Sequence, residues 1–153
     1  LQKNDSPPKP IIKYKDFPTF KTLICYEIIF PKYSKNSNFL VNFTNDAWFG
    51  NTPGPYQHFV HSIFRAIEQG AQVIRIANTG ISASVDPFGR IMKKIDLNVE
   101  GQFDINLVTG NSFVNPNIPL TTLYSKFGNK LILFILIGLF LIIFNKQKVK
   151  KVI

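Results

Sequence analysis

The sequence predicts an α/β layered domain, present only in part, followed by one carboxyl-terminal membrane helix. Two observations point to the domain. Apolar runs of strand length recur between Phe20 and Leu107, interrupted by a single helical pattern. One helix is too little to cover a layered sheet on both faces. A third observation points to the membrane: Leu131 to Phe144 is 14 residues without a polar side chain.

Residues 1–18 are rich in Pro and Lys and read as loop or extended chain. FKTLIC, Phe20 to Cys25, reads as a short buried strand, and NFLVNF, Asn38 to Phe43, as a second. TNDAWFGNTPGP is dense in Asn, Gly and Pro and reads as a loop. From Tyr56 to Gly70 the pattern is helical. Phe59, Ile63, Phe64 and Ile67 form an apolar face, with His58, His61, Arg65 and Glu68 opposite. Gly70 suits the position just past the helix end. QVIRIAN is a third strand, SASVDPFGRIMKKI a hairpin turning at Asp-Pro-Phe-Gly, and GQFDINL a last short strand.

As a helix, the 14-residue apolar run spans roughly 21 Å, short of the ~30 Å hydrocarbon core. It extends toward Thr121 through Leu123, Tyr124 and Phe127, and Lys126 and Lys130 can snorkel to headgroups. It is apolar on every face, and a small chain cannot bury such a helix all round. Lys146, Lys148, Lys150 and Lys151 follow, which places this tail in the cytoplasm by the positive-inside bias. The expected organisation is a domain over 1–120, a membrane helix over 121–145 and a basic tail over 146–153. The globular part then lies outside the cytoplasm, in a bacterium the periplasm.

The 153 residues allow one ordinary domain. The first residue is Leu1 and the only methionine is Met92, so the expectation is a processed chain or a fragment. Net charge is +9, concentrated at the ends: residues 1–21 carry five Lys and two Asp, and residues 121–153 carry six Lys and no acid. The stretch between balances seven Lys/Arg against seven Asp/Glu. A nucleic-acid domain spreads its basic residues over a folded face, so no nucleic-acid partner is expected. One cysteine excludes an intrachain disulfide and a Cys-based zinc site.

That cysteine, Cys25, ends an apolar run two residues before Glu27. As a small hydrophobe it could simply be buried. As a nucleophile at a strand end it would expose its sulfur beside backbone N–H groups. Glu27 cannot stabilise a thiolate by charge, because two anions repel. His58 and His61 share a helix face at i, i+3, but no third ligand is arranged beside them. No metal is expected, and a Cys25–histidine pairing stays open. Asn45, Asp46, Trp48 and Phe49 form a turn with an aromatic plug, or a loop beside a ligand pocket.

ICYEIIFP, NFTNDAWFG and RAIEQGAQVIRIANTGISASVDPFGRI, in this order before an apolar helix and a basic tail, resemble a known family. The pattern is similar to the carboxyl-terminal part of the bacterial apolipoprotein N-acyltransferases, within the nitrilase (carbon–nitrogen hydrolase) superfamily. The resemblance covers nearly everything from about Phe20 onward. It implies a nitrilase-like αββα domain, here partial, in the bacterial inner membrane. It implies no cofactor and two partners: a phospholipid acyl donor and a diacylglyceryl apolipoprotein acceptor. Cys25 matches the nucleophile that carries the acyl group as a thioester. Glu27 matches a supporting carboxylate, and Tyr26, Trp48 and Phe49 match substrate-facing aromatic positions. The family's base, a Glu, and its oxyanion-stabilising Lys belong upstream. The 20 residues before KTLICYE contain no Glu, and Lys13, Lys15 and Lys21 match no lysine motif. The resemblance thus implies a chain inactive by itself. Two other readings are an amidohydrolase that uses water as acceptor and an inactive, membrane-anchored remnant.

Overall fold

Three apolar runs build the centre of the sheet in a computed structural model that describes residues 10–108 and 121–150, the last seven by backbone alone. They are β2 (Phe17–Ile24), β3 (Phe39–Asn45) and β4 (Gln72–Asn78). β2 pairs with β3 and β3 with β4 in parallel, so Leu23, Asn42 and Arg75 stand in one row. β1 (Ile12–Tyr14) adds an antiparallel edge to β2, where the sequence reads as loop. On the far side β5 (Ser82–Val85) and β6 (Ile91–Ile95) form the expected hairpin. Its turn closes with the Gly89 N–H donating to Asp86 O at 2.9 Å, and Gly89 takes the positive φ of 81° that the turn requires. The strand order follows the sequence, β1 to β6.

Parallel neighbours need crossovers. The first is a 3-10 helix, Cys25–Ile29, and a one-turn α1 (Pro31–Ser34). The second is α2 (Gly54–Gln69), ended by Gly70 in the left-handed region at φ 62°. α2 packs over one face of the sheet around Leu23, Ile28, Leu40, Phe59, Ala66, Val73, Ala83 and Val85.

The helix is turned differently from the sequence expectation. Its buried residues include His58, Phe59, Ser62, Arg65, Ala66 and Gln69, while Phe64 and Ile67 are half exposed. Polar groups on the covered sheet face draw His58 inward, and the apolar pattern alone does not reveal them. The opposite sheet face carries Ile24, Phe43 and Ile76 in one row across β2, β3 and β4, exposed by 54, 43 and 47%.

Two further expectations change. GQFDINL forms no strand: the segment runs alongside, its Asn106 carbonyl accepting from Gln72 Nε2 at 3.2 Å. The expected helix over 121–145 is two helices, α3 (Leu123–Phe127) and α4 (Lys130–Lys150), broken at Gly128. Gly128 takes φ 54°, which ends α3 and redirects the chain. α3 is tied to α2 by the Thr122 hydroxyl, which donates to the Glu68 carbonyl. Among the described residues no helix is long and apolar enough to cross a membrane.

Candidate active site

Cys25 is the first residue after β2 and takes φ 48°, a left-handed backbone. For a residue with a Cβ this costs roughly 1–2 kcal/mol. Strain of that kind gathers at functional sites, where surrounding contacts hold it in place. The turn lifts the half-buried sulfur out of the strand at the carboxyl end of the parallel sheet, the edge where open α/β sheets bind ligands.

Two side chains fix the turn. Glu27 Oε2 accepts the Ile24 N–H at 2.7 Å, across the bend. Its carboxylate thus holds the backbone of the turn. From beneath, Asn42 Nδ2 donates to the carbonyls of Leu23 and Cys25 at 3.1 and 3.3 Å. The amide can do this only with its oxygen facing the other way, and there Arg75 Nη1 donates to Asn42 Oδ1 at 2.8 Å.

Arg75 is fully buried in the middle of β4. Its Nη2 donates to Asp46 Oδ2 at 2.6 Å and its Nε to the Ile81 carbonyl at 3.2 Å. His58 Nδ1 lies 2.9 Å from Asp46 Oδ1. An ionised carboxylate only accepts, so Nδ1 carries the proton and donates it to Asp46. Burial alone would push the Asp46 carboxyl up, but the bonds from His58 and Arg75 outweigh it and hold it below the usual carboxylate range. Burial likewise pulls the Arg75 guanidinium down, against the opposing pull of Asp46. Gly80 gives this pair its room: a Cβ there would stand 2.3 Å from Asp46 Oδ2. Thr44 joins the cluster to the thiol, with Oγ1 3.1 Å from Asp46 Oδ1 and 3.4 Å from Cys25 Sγ.

The aromatic positions divide. Tyr26 stacks on the His58 ring at 4.9 Å between centroids, and Phe49 meets Tyr26 edge-on at 6.0 Å. With Gln57 and His61 they line a pocket of about 140 Å³. Trp48 stands apart from that wall, 84% exposed. The two histidines do not act together: His58 turns to Asp46, and His61 meets the Phe64 ring edge-on. Burial and the nearby Arg65 pull the His61 imidazole below its ordinary value. Among the described residues no three His, Cys, Asp or Glu side chains gather as a metal site. Lys21 is buried four residues upstream of Cys25, roughly 13 Å along the strand, and burial pulls its ammonium down.

Sequence reasoning did not find Asn42, Thr44 and Arg75. One signal was present. Asn42 and Thr44 share the inward phase of Leu40, and Arg75 shares that of Val73, so each is a polar residue at a position where the strand faces the core.

Residues 5–111 match the carbon–nitrogen hydrolase family model. The chain is 46% identical over 126 residues to an apolipoprotein N-acyltransferase of Rickettsia bellii, covering 80% of this chain and 24% of that protein. It is 54% identical over 89 residues to the one of Rhizobium rhizogenes, covering 56% and 17%. The chain thus spans about a quarter of the length of the first of these relatives. Solved structures similar to it include an amidase from Nesterenkonia sp., at 18% identity and TM-score 0.45, covering 60% of this chain and 38% of that one.

Proposed function

Because the chain belongs to the carbon–nitrogen hydrolase family, we propose that it is the nucleophile-bearing portion of an apolipoprotein N-acyltransferase. The observation that carries this reading is the strained turn at Cys25, φ 48°, which presents one thiol at the carboxyl edge of the parallel strands. The names of its relatives supply the substrate class.

The chemistry is a two-step acyl exchange. A base takes the Cys25 proton, and the sulfur attacks the ester carbonyl of a phospholipid. The C–O bond breaks, and the lysophospholipid leaves with that proton. The free α-amino group of a diacylglyceryl-cysteine then attacks the thioester. The C–S bond breaks, the amine gives up a proton, and the thiol is restored. These 153 residues contain no match to the family's base or lysine. A proton acceptor in the transition state is worth roughly 10²–10⁴-fold, so residues 1–153 alone are inert in this scheme.

The sheet face left uncovered among the described residues supports a further layer. Ile24, Phe43 and Ile76 are apolar and half exposed beside the nucleophile turn, and a sheet face of that kind requires cover. α4 supports a membrane setting. Ile132 to Ile137 are all about half exposed or more, an apolar surface that suits lipid, and Lys126 and Lys130 can snorkel to headgroups beside the 14-residue apolar run. The Lys tail then faces the cytoplasm of a bacterial inner membrane and the domain the periplasm.

The test joins residues 1–153 to the first three quarters of the Rickettsia bellii relative and supplies phospholipid vesicles. The joined protein is expected to gain one acyl mass on Cys25, labile to hydroxylamine, and to pass it to a diacylglyceryl peptide. Residues 1–153 in detergent are expected to gain none. Release of free fatty acid in place of peptide acylation would favour the amidohydrolase reading, and no thioester in the joined protein would favour an inactive remnant.

A further inference from the structure

We propose that Thr44 is a positioning residue for Cys25, whose single hydroxyl proton serves Asp46 while the sulfur is a thiol and turns to the sulfur when it becomes a thiolate. The proposal rests on Cys25 being the nucleophile. Thr44 Oγ1 stands 3.1 Å from Asp46 Oδ1 and 3.4 Å from Cys25 Sγ, with one proton for two acceptors. An ionised Asp46 only accepts. In the resting state the Thr44 proton therefore points to Asp46, and a lone pair on Oγ1 faces the S–H. Once the thiol proton has gone to a base, the sulfur has nothing to donate. Rotating the Thr44 hydroxyl then aims its proton at the sulfur. Thr44 neither gains nor loses a proton overall.

Three features make this switch workable. Asp46 can release the Thr44 proton because it keeps two other donors, His58 Nδ1 and Arg75 Nη2. The hydroxyl is sheltered, with Thr44 at 9% exposure and the Arg75 and Asp46 side chains at zero, so water competes little for its proton. The β-branched side chain holds Oγ1 in a narrow χ1 range, so only a hydrogen moves. Among the described residues, the titratable and charged groups around the sulfur are Asp46 beyond β3, His58 from α2, Arg75 from β4, and Tyr26 and Glu27 from the turn itself.

Alkylation by iodoacetamide reads the thiol directly, without acyl transfer, so this inference and the proposed function can fail separately. Cys25 is the only cysteine, so the signal has one source. The full chain in detergent, Thr44→Val and Thr44→Ser are compared from neutral pH to the alkaline plateau. For Thr44→Val the neutral rate, taken relative to its own plateau, is expected to fall about threefold to tenfold, the effect of one lost hydrogen bond to the thiolate. Thr44→Ser, which keeps the hydroxyl, is expected to stay within about twofold of the parent. A valine profile that overlays the parent, or a serine profile that follows valine, overturns the proposal. If valine prevents folding, the Thr44 methyl resonance of the parent decides. Movement of that resonance together with Cys25 Cβ as pH rises supports the switch, and a Thr44 signal that stays fixed while Cys25 titrates overturns it.

Discussion

Replacing Arg75 with methionine keeps the volume of a long side chain and removes the buried guanidinium. Arg75 donates to Asp46 at 2.6 Å, to Asn42 at 2.8 Å and to the Ile81 carbonyl at 3.2 Å, with none of its side chain exposed. Arg75→Met therefore leaves a buried carboxylate with only His58 and Thr44 beside it, a carbonyl without its donor, and an amide free to flip. Removing one partner of a buried pair costs about 3–5 kcal/mol. That is a large share of the ~5–15 kcal/mol that stabilises a domain. Urea unfolding of the full chain in detergent, followed by far-ultraviolet circular dichroism, measures the loss. The second arm is Arg75→Met with Asp46→Asn. Once the arginine is gone, removing the carboxylate charge should recover part of the loss, so the double variant should be more stable than the two single losses added together, by about 0.5–3 kcal/mol. A single-variant loss under about 1 kcal/mol, or additivity within about 0.5 kcal/mol, would refute the coupling.

The Asp46 carboxyl is held down by His58 and Arg75 against burial, and the Asp86 carboxyl by bonds from Arg90 and the Phe88 N–H against burial. Both pull in one direction: their stabilisation is complete above the unfolded carboxyl value of ~3.9 and is lost as pH falls from there through the native values, so acid unfolding followed at fixed urea should begin below about pH 4. Gly80→Ala places a Cβ 2.3 Å from Asp46 Oδ2 and 2.7 Å from Cγ. Arg75 holds that carboxylate in place, so a loss of about 1–3 kcal/mol is expected, and unchanged urea midpoints would mean the 80–81 segment yields freely. Cys25→Gly should abolish thioester formation in the joined protein yet raise the unfolding free energy of residues 1–153 by up to about 1–2 kcal/mol, since φ 48° costs glycine nothing; a lower unfolding free energy would show that the turn is unstrained. Phe43→Asp, at a half-exposed position of a central strand, should cost residues 1–153 no more than about 1 kcal/mol. In the joined protein it should abolish acylation of Cys25.

Much of the fold is legible because local signals are strong. The helix read from Tyr56 to Gly70 runs from Gly54 to Gln69 and ends at Gly70, where a left-handed cap requires glycine. The strand pairs follow from apolar runs, and the hairpin from its Asp-Pro-Phe-Gly turn. The rotation of α2 is not legible. Counting apolar residues points Phe64 and Ile67 inward, but both are about half exposed while His58 and Arg65 are buried. The burial of His58 answers a polar group elsewhere in the chain: it meets Asp46, 12 residues away. A periodicity read along one helix contains no term for such a partner. The edge strand β1 escaped notice for a related reason, since its pairing with Phe17 and Phe20 lies outside its own three residues.

Within the site, Cys25 could be found because a lone thiol at a strand end is conspicuous, and Glu27 because it lies two residues on. What supports the thiol comes from β3, β4 and α2, and its members are spread from Asn42 to Arg75. These contacts explain why the covered face of the sheet is polar at its centre. Asn42 holds the two carbonyls that frame the turn, Arg75 orients Asn42, and Asp46 neutralises Arg75. Each residue is needed because the one before it is buried. An apolar residue at any of these positions would pack well but leave the next group unpaired, at about 1–3 kcal/mol each. The strain at φ 48° is thus held by a relay of buried polar contacts rather than by apolar packing against the sulfur. Activation is a separate matter. The relay fixes where the sulfur sits and offers it one hydroxyl, while Asp46, held ionised by two strong donors, is a poor proton acceptor. In the proposed acyl exchange, proton removal then falls to a group outside the relay.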